Sequence, residues 1–433
     1  MRKQLLIIAL TISCVASAQQ KLRLQECIDL ALENNRNIKQ QELNRKSREI
    51  AYQQARADLL PGVGASAGQS FVFGRSIGSD NTYQNTNSSQ TSFSIGSSIT
   101  LFDGLRMKYN IDARKADLHA SEADLEQIRE MTIMSVSTAF LQALLSKELL
   151  QLAEQQLTLT QANIDRRKEL INNGKMAQGE LYELEAQRAK EELNRVKAES
   201  DLKLALLDLA QIIEIDHFND FDIIAPTDEE LIREGLLLSS EAIYQDALIN
   251  RPEIRGATCR LERSEKEVLM SKAERFPTLS FGADMGTGYY NLSGRTNDPF
   301  VSQLRNNISN SLGFSLRIPI FNKFQIKNSI RNAEIAIANN RLEIDKVKLE
   351  LRKRIEQAYY NAIGANSRWE AAKKSETAGR EAYRFAEEKY ENGRANAYEL
   401  FQAKNNLTQI LGEKVQAKYE YAFRLKILEL LRN

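Results

Sequence analysis

Two glutamates stand at matching places in two related stretches of this 433-residue chain. Glu180 lies in "NNGKMAQGEL" and Glu399 in "ENGRANAYEL", and 219 positions separate them. A carboxylate near the start of a helix stabilises the free backbone N–H groups there. Asn396 and Glu399 have the spacing of an N-cap and an N3 residue, which predicts a capping box. Gly174 and Gly393 are separated by the same interval, and we expect each to end a helix in a left-handed conformation.

Side chains suited to enzyme chemistry are scarce. The chain has 2 histidines, His119 and His217, in unrelated contexts, which argues against a histidine-dependent triad or a histidine-rich metal site. Cys27 and Cys259 occupy non-matching places in the two halves and predict free thiols rather than a disulfide. The totals of 59 Lys+Arg and 58 Asp+Glu leave no basic patch for nucleic acid. We therefore expect no enzyme, no cofactor, no metal site and no nucleic-acid partner.

The N-terminus has the pattern of an export signal. A basic pair precedes an apolar run over 5–15, and an A-x-A cleavage site ends at Ala18, which predicts a signal peptide over 1–18. Cys14 is an alternative lipidation site, although Thr11 stands where lipoprotein signals usually carry an apolar residue. No later run reaches the about 18 apolar residues of a membrane helix. The protein is expected to be exported, and any membrane contact is expected to use a structure other than an apolar transmembrane helix.

The rest of the chain consists of two halves with similar sequence patterns. "ITLFDG" at 99–104 matches "IPIFNK" at 318–323, and "ALENN" at 31–35 matches "ALINR" at 247–251. Each half begins with a helical pattern, continues with two alternating segments and ends with two long helical patterns. Repeats of this length imply a duplicated unit. The predicted helical stretches are 24–58, 105–172 and 178–213 in the first half, and 241–275, 324–391 and 396–432 in the second.

Four segments alternate between apolar residues and glycine or serine, as transmembrane strands do. They are 63–73, 93–101, 279–289 and 308–320. Each is long enough to cross a bilayer as a tilted strand. The alternative is a soluble sheet with one wet face. The small-residue polar face and the long polar loops between paired strands favour the membrane.

Four strands cannot close a barrel, and lipid does not tolerate an open sheet edge. The chain should therefore oligomerise around a shared barrel. Two, three or four copies would contribute 8, 12 or 16 strands. Helical arms on the same copies should then pack side by side with matching symmetry.

These features divide the chain into consecutive segments. They are the signal peptide 1–18, first-repeat helices 19–60, strand pair 61–103 with external loop 74–90, helical hairpin 104–213, linker 214–241, second-repeat helices 242–276, strand pair 277–322 with external loop 291–307, and helical hairpin 323–433.

The combined layout and the paired turns "NNGKMAQGELYELEAQ" and "ENGRANAYELFQAK" resemble the TolC-like outer-membrane efflux proteins over the whole mature chain. The resemblance implies an α+β membrane protein, with duplicated helical hairpins and four transmembrane strands per chain. It implies a homotrimer with a 12-stranded barrel in the lipid of the outer membrane of a Gram-negative bacterium, and an α-helical tunnel through the periplasm. The duct would serve a tripartite pump or type I secretion system, with a periplasmic adaptor and an inner-membrane RND or ABC transporter as partners.

The resemblance also implies roles for the turns. Adaptor contacts would be Asn173, Gly174, Lys175, Asn392, Gly393 and Arg394. Glu399 matches the first acidic ring of the family's resting constriction, and the second ring position is Gln402. Symmetry-related carboxylates there would draw cations, whereas the alternative role of Glu399 is only to cap a helix. Tyr390 and Glu180 match partners of a tip lock whose arginine position is Ala395, with Arg394 one place earlier.

A second class of function is a trimeric, barrel-anchored surface adhesin or structural coiled coil. Such proteins usually carry one strand-rich anchor at one end. Here a strand pair occurs inside each helical repeat, which favours the duct. The cargo and the class of transporter are not encoded in any motif of the chain.

Overall fold

The structure, a computed structural model, describes residues 20–77, 81–85, 87–173, 178–215, 221–227 and 239–432. The predicted signal peptide lies outside these residues, and so do Cys14, Gly174 and Lys175. The chain forms two compact units. The first comprises Met1–Glu42, Leu125–Pro252 and Lys348–Asn433, and the second comprises Leu43–Asp124 and Glu253–Val347. Each unit takes residues from both halves of the sequence.

The helices of the first half are α1 (Leu24–Asn34), α2 (Arg36–Ala57), α3 (Arg106–Asn172) and α4 (Gly179–Ile212). Those of the second half are α5 (Ser240–Asn250), α6 (Pro252–Ala273), α7 (Phe300–Asn306), α8 (Gln325–Glu391) and α9 (Ala397–Arg432). The four long arms begin and end within one residue of the predicted positions. α3 and α8 both span 67 residues, so the 219-residue interval holds along their whole length.

The predicted single helical stretches 24–58 and 241–275 are wrong in one respect, because each is two helices. The first breaks at Asn35, whose side-chain oxygen accepts the N–H of Asn37 at 2.9 Å and caps α2. The second breaks at Arg251, because Pro252 disfavours a helical conformation in the residue before it and suits the first position of a helix. The two breaks occupy matching places in the repeat.

In the described part of the chain, four strands form one antiparallel sheet in the order β2 (Gly62–Val72), β5 (Ser88–Phe102), β7 (Thr278–Leu292), β8 (Ser309–Arg317). The predicted strands are confirmed, with different ends. β5 and β7 extend to 15 residues each. β8 stops at Arg317 rather than at residue 320, because Pro319 has no N–H to donate to a neighbouring strand.

The register places the apolar residues of all four strands on one face. Cross-strand partners share a face, and on this one Ala65, Ile95 and Met285 lie in a row, as do Phe281 and Phe314. The other face carries mainly glycine and serine, together with Asp284 and Arg317. This confirms the alternation that the sequence predicted.

The two predicted external loops contain short elements that the sequence did not predict. The first holds a hairpin of β3 (Arg75–Ile77) and β4 (Tyr83–Asn85), and the second holds α7. β7 extends beyond its partner β8, and side-chain amides satisfy its open edge. Asn307 donates to the carbonyl of Gly288 at 2.8 Å. The side-chain amide of Gln303 accepts the N–H of Tyr290 and donates to its carbonyl. The side-chain amide of Asn297 makes the same two bonds with the backbone of Leu292. An edge left without a strand is thereby protected.

The main core lies in the first unit and includes the N-terminus of the described chain. β1 (Gln20–Leu22) pairs in parallel with β6 (Phe221–Ile223), and both pack with the fully buried Phe140 and Leu144 of α3. The sequence predicted only a linker at β6, because its strand partner is about 200 residues away. By length and composition α3 is the one helix in the described part that could cross a membrane, and 39% of its most apolar window is buried.

Both described cysteines are free thiols, as predicted. Cys27 is fully buried in the core of the first unit. Burial, assisted by the charge of Glu26, raises the pKa of the Cys27 thiol to about 12.

Each half of the sequence changes from strand to long helix through two consecutive left-handed residues. They are Gly104 and Leu105 (φ 71° and 71°) and, 219 positions later, Lys323 and Phe324 (φ 52° and 63°). Non-glycine residues rarely adopt this conformation. At Gly104 space is also restricted, because a β-carbon would lie 2.8 Å from the carbonyl oxygen of Ala273. The repeat therefore preserves a backbone turn more strictly than a residue type.

Gly104→Ala should destabilise the second unit by more than the about 1–2 kcal/mol of a left-handed alanine, because the new methyl group also meets Ala273 and Phe276. Lys323→Ala is the matched control at the same place of the other repeat, where a side chain is already present. Thermal unfolding monitored by circular dichroism would check this. Equal losses for the two variants would contradict it.

Candidate functional site at the hairpin turns

The turn between α8 and α9 is built by backbone hydrogen bonds around Gly393. Its φ is 68°, as predicted for the residue that follows a helix end. The N–H of Gly393 donates to the carbonyl of Tyr390 at 3.0 Å, and that of Arg394 donates to the carbonyl of Lys389 at 2.8 Å. This pair of bonds is the Schellman motif. The matching glycine of the first hairpin, Gly174, lies outside the described residues.

Asn396 starts the next helix. Its side-chain oxygen accepts the backbone N–H of Glu399 at 2.9 Å, which confirms the predicted N-cap. The reciprocal bond of a capping box, from the Asn396 N–H to the Glu399 carboxylate, does not form in the described structure. In that part of the chain the Glu399 carboxylate has no hydrogen bond and no ion pair, and the residue is exposed. The helix is therefore capped without using the carboxylate of Glu399.

Glu399 begins an exposed polar stripe along α9. Its members, separated alternately by three and four residues, are Glu399, Gln402, Asn406, Gln409 and Glu413. This spacing places them on one face of a helix. Gln409 donates to the Glu413 carboxylate at 2.8 Å. Glu399 and Gln402, predicted from the resemblance to face a constriction, thus share a face that no other element of the described chain covers.

The predicted tip lock is only partly visible. The side chain of Glu180 lies outside what the structure describes, so its pairing with Tyr390 stays a prediction. Among the described contacts, the ring of Tyr390 lies under the guanidinium of Arg167, with 4.4 Å between the guanidinium carbon and the ring centroid. The preceding residue, Arg166, pairs with Glu391 at 3.2 Å. These contacts join the C-terminal ends of α3 and α8.

Sequence reasoning missed Arg166 and Arg167. Their only local signal is their place in the last two turns of α3, where cations stabilise a helix C-terminus. Their partners lie on a different helix, over 220 residues further along the chain. Both members of the Arg166–Glu391 pair are more than half exposed, so that pair contributes little to stability.

All four adaptor candidates that the structure describes face solvent. Asn173, Asn392, Gly393 and Arg394 are exposed, and the Arg394 side chain has no partner among the described residues. Asn392 also has a structural role, because its amide donates to the carbonyl of Glu388 at 2.8 Å near the end of α8. Lys175 lies outside the described residues. The contact role of these residues stays a prediction.

A family model described as "Outer membrane efflux protein" matches residues 27–213 and 243–431, which is most of both repeats. The chain belongs to the outer membrane efflux protein family. It is thus an outer-membrane protein of a Gram-negative bacterium that extends into the periplasm, and its family consists of transport channels rather than enzymes.

Individual members of the family are distant in sequence. The chain is 24% identical to Protein CyaE of Bordetella pertussis, with 81% of this chain and 71% of that protein covered. It is 20% identical to Outer membrane protein TolC of Escherichia coli, with 96% and 83% covered. A solved membrane protein from Pseudomonas aeruginosa has the same fold, with a TM-score of 0.80 at 18% identity and with 95% and 92% of the two chains covered.

Asn396→Ala should destabilise the first turn of α9 by about 1 kcal/mol, because the N–H of Glu399 loses its side-chain acceptor. Hydrogen exchange of residues 397–401 would then be faster. Asn396→Ser is the matched control and should keep near-normal exchange, since serine also caps helices. If Asn396→Ala exchanges like the wild type, the cap does not hold this turn.

Proposed function

We propose that the protein is the trimeric outer-membrane exit duct of a tripartite efflux pump or type I secretion system. Three chains would share one 12-stranded barrel and one periplasmic helical tunnel. The duct is passive. An inner-membrane RND or ABC transporter supplies energy, and a periplasmic adaptor opens the helical tip. The observation that carries this proposal is a membrane sheet with two unpaired edges.

The sheet cannot be complete within one chain. The outer edges of β2 and β8 have no strand partner in the described structure. In hydrocarbon each unpaired backbone group costs several kcal/mol, and a closed barrel removes that cost. Both edge strands are exposed throughout. Pairing of β8 in one copy with β2 in the next satisfies both edges.

The helices carry stripes of exposed apolar side chains, which contact with neighbouring copies would bury. On α4, Leu193, Val196 and Leu204 are each about half exposed or more. On α8, Ile335, Leu342 and Leu349 recur every seven residues and are each more than half exposed. Apolar residues at such spacing are the contact positions of helices packed side by side. Neighbouring copies around a threefold axis would cover them.

The polar stripe of α9 supports a duct with a constriction. With α9 facing the axis, three copies of Glu399 form an acidic ring nearest the turn. Neutral rings of Gln402, Asn406 and Gln409 separate it from a second acidic ring of Glu413, whose carboxylate accepts from Gln409. A ring of carboxylates concentrates cations. Because the Glu399 carboxylate does not cap α9, it is available to face the pore.

The adaptor is expected to bind the turn residues that are exposed in the described structure, Asn173, Asn392, Gly393 and Arg394. The cation of Arg394 provides a point for charge-assisted contact. The Schellman turn holds Asn392 and Arg394 in fixed directions on either side of Gly393. This arrangement suits docking of a second protein better than a catalytic role.

The oligomer is tested by native mass spectrometry of the full-length protein released from detergent. We expect a mass of three mature chains. A dimer or tetramer, which would give barrels of 8 or 16 strands, would contradict the trimer. In parallel, a deletion strain should become sensitive to exported compounds. Loss of cell adhesion without a transport defect would instead indicate a barrel-anchored adhesin.

Glu399→Gln should reduce the cation selectivity of single channels in planar bilayers and weaken block by hexaamminecobalt(III) at least tenfold, because it removes the ring charge. It should leave the cap intact, since Asn396 binds only the backbone of residue 399. Glu413→Gln, on the same stripe, is the matched control and should have a smaller effect. Unchanged selectivity and block in Glu399→Gln would refute the ring.

A further inference from the structure

A lysine is buried close to the start of α9. Lys404 is 8% exposed, and its ammonium group reaches both helices of the first hairpin. It donates to the Glu191 carboxylate on α4 at 2.9 Å and to the hydroxyl of Thr160 on α3. Glu191 is 7% exposed and Thr160 is fully buried. One polar cluster, Thr160–Glu191–Lys404, therefore joins three helices.

The cluster is not fully satisfied. Gln187 donates to Glu191 Oε1 at 2.9 Å and also to Asn405 at 3.2 Å. Glu191 Oε2 is buried and has no hydrogen-bond partner in the part of the chain that the structure describes. A buried ion pair with an unsatisfied oxygen is usually less stabilising than well-packed apolar side chains in the same volume. Stability alone does not explain why charges occupy this place.

The second hairpin shows that the fold does not require them. The residues 219 positions after Thr160 and Glu191 are Gly379 and Ile410. They pack so closely that a β-carbon on Gly379 would lie 2.8 Å from Cδ1 of Ile410. The same crossing of two helices is thus apolar and tight in one repeat. In the other it is polar and bridged by Lys404.

Lys404 also lies opposite the polar stripe of its own helix. Successive residues of a helix are rotated by about 100°. Lys404, five residues after Glu399 and two after Gln402, consequently points away from both. Holding Lys404 against α3 and α4 fixes the rotation of α9 and the direction of its stripe.

We propose that Lys404 is the positioning residue of the constriction, and that its bonds to Glu191 and Thr160 form a latch that holds the first turns of α9 in the closed arrangement. This rests on the proposed channel function. Widening of the tip requires α9 to move relative to the first hairpin, and that movement breaks the latch. The ion pair is retained because it can be exchanged for water on opening, which an apolar contact cannot do favourably.

The test is the double variant Lys404→Leu/Glu191→Ile, which copies the isoleucine of the other repeat and leaves no unpaired charge. We expect it to be at least as stable as the wild type in thermal unfolding. Hydrogen exchange of residues 397–404 should be at least threefold slower, because separating an apolar contact exposes apolar surface, whereas the groups of the polar latch can be solvated as they part. A pair that does not act as a latch would leave exchange of these residues at the wild-type rate.

The matched control is Lys418→Leu/Glu148→Leu, which removes another pair between α9 and α3, 3.4 Å apart and farther from the turn. It should leave exchange at the tip and block unchanged. Glu191→Gln keeps the shape of the cluster but weakens the pair, so it should make exchange of residues 397–404 faster and block by hexaamminecobalt(III) weaker, which provides a test should the double variant fold poorly.

Wild-type exchange and block in both latch variants would overturn the proposal. Failure of the proposed function looks different. It would appear in the wild-type protein, as a mass other than three chains or as the absence of cation-selective channels, before any variant is compared. The exchange measurement needs no conducting channel and tests the latch by itself.

Discussion

Backbone hydrogen bonding in lipid is the constraint on which the rest of the structure depends. A strand edge in hydrocarbon must be paired, and among the described residues this sheet ends in two strands, β2 and β8, whose outer edges have no partner. Where β7 runs past β8, the amides of Asn297, Gln303 and Asn307 satisfy its edge within the chain. Beyond those residues, the proposed oligomer supplies the partners from another copy of the chain. Oligomerisation follows from the sheet, and the exposed apolar stripes of the helices follow from oligomerisation.

Duplication explains how one chain supplies so many parts. The two halves share backbone features, such as the breaks at Asn35 and Arg251 and the left-handed pairs that begin at Gly104 and Lys323. They differ in the side chains that occupy equivalent positions of the repeat. A conformation can be kept by different residue types, whereas interior packing depends on neighbours outside the repeat. The two hairpins were consequently free to diverge into an apolar crossing and a polar one.

Because of that divergence, separating the two helices has a different energetic cost in each hairpin. The tight contact of Gly379 with Ile410 has no group that water could replace, so separating it exposes apolar surface. The cluster around Lys404 consists of groups that water can solvate as they part. A helix that must move is best held by bonds of the second kind. Under the proposed latch, the end of α9 nearest the turn is therefore the end that moves.

The sequence by itself determined the repeat, the long arms to within one residue and the alternation of the strands, because these depend on local periodicity. It also located the Gly393 turn and the Asn396 cap, since both are built from residues within one helical turn. It missed the pairing of β1 with β6, the amide cap of β7 and the contacts of Arg166 and Arg167. It also gave no sign that Lys404 is buried against Glu191. Each of these joins residues distant in sequence, and only the tertiary structure decided them, because burial and ion pairing depend on which helices become neighbours.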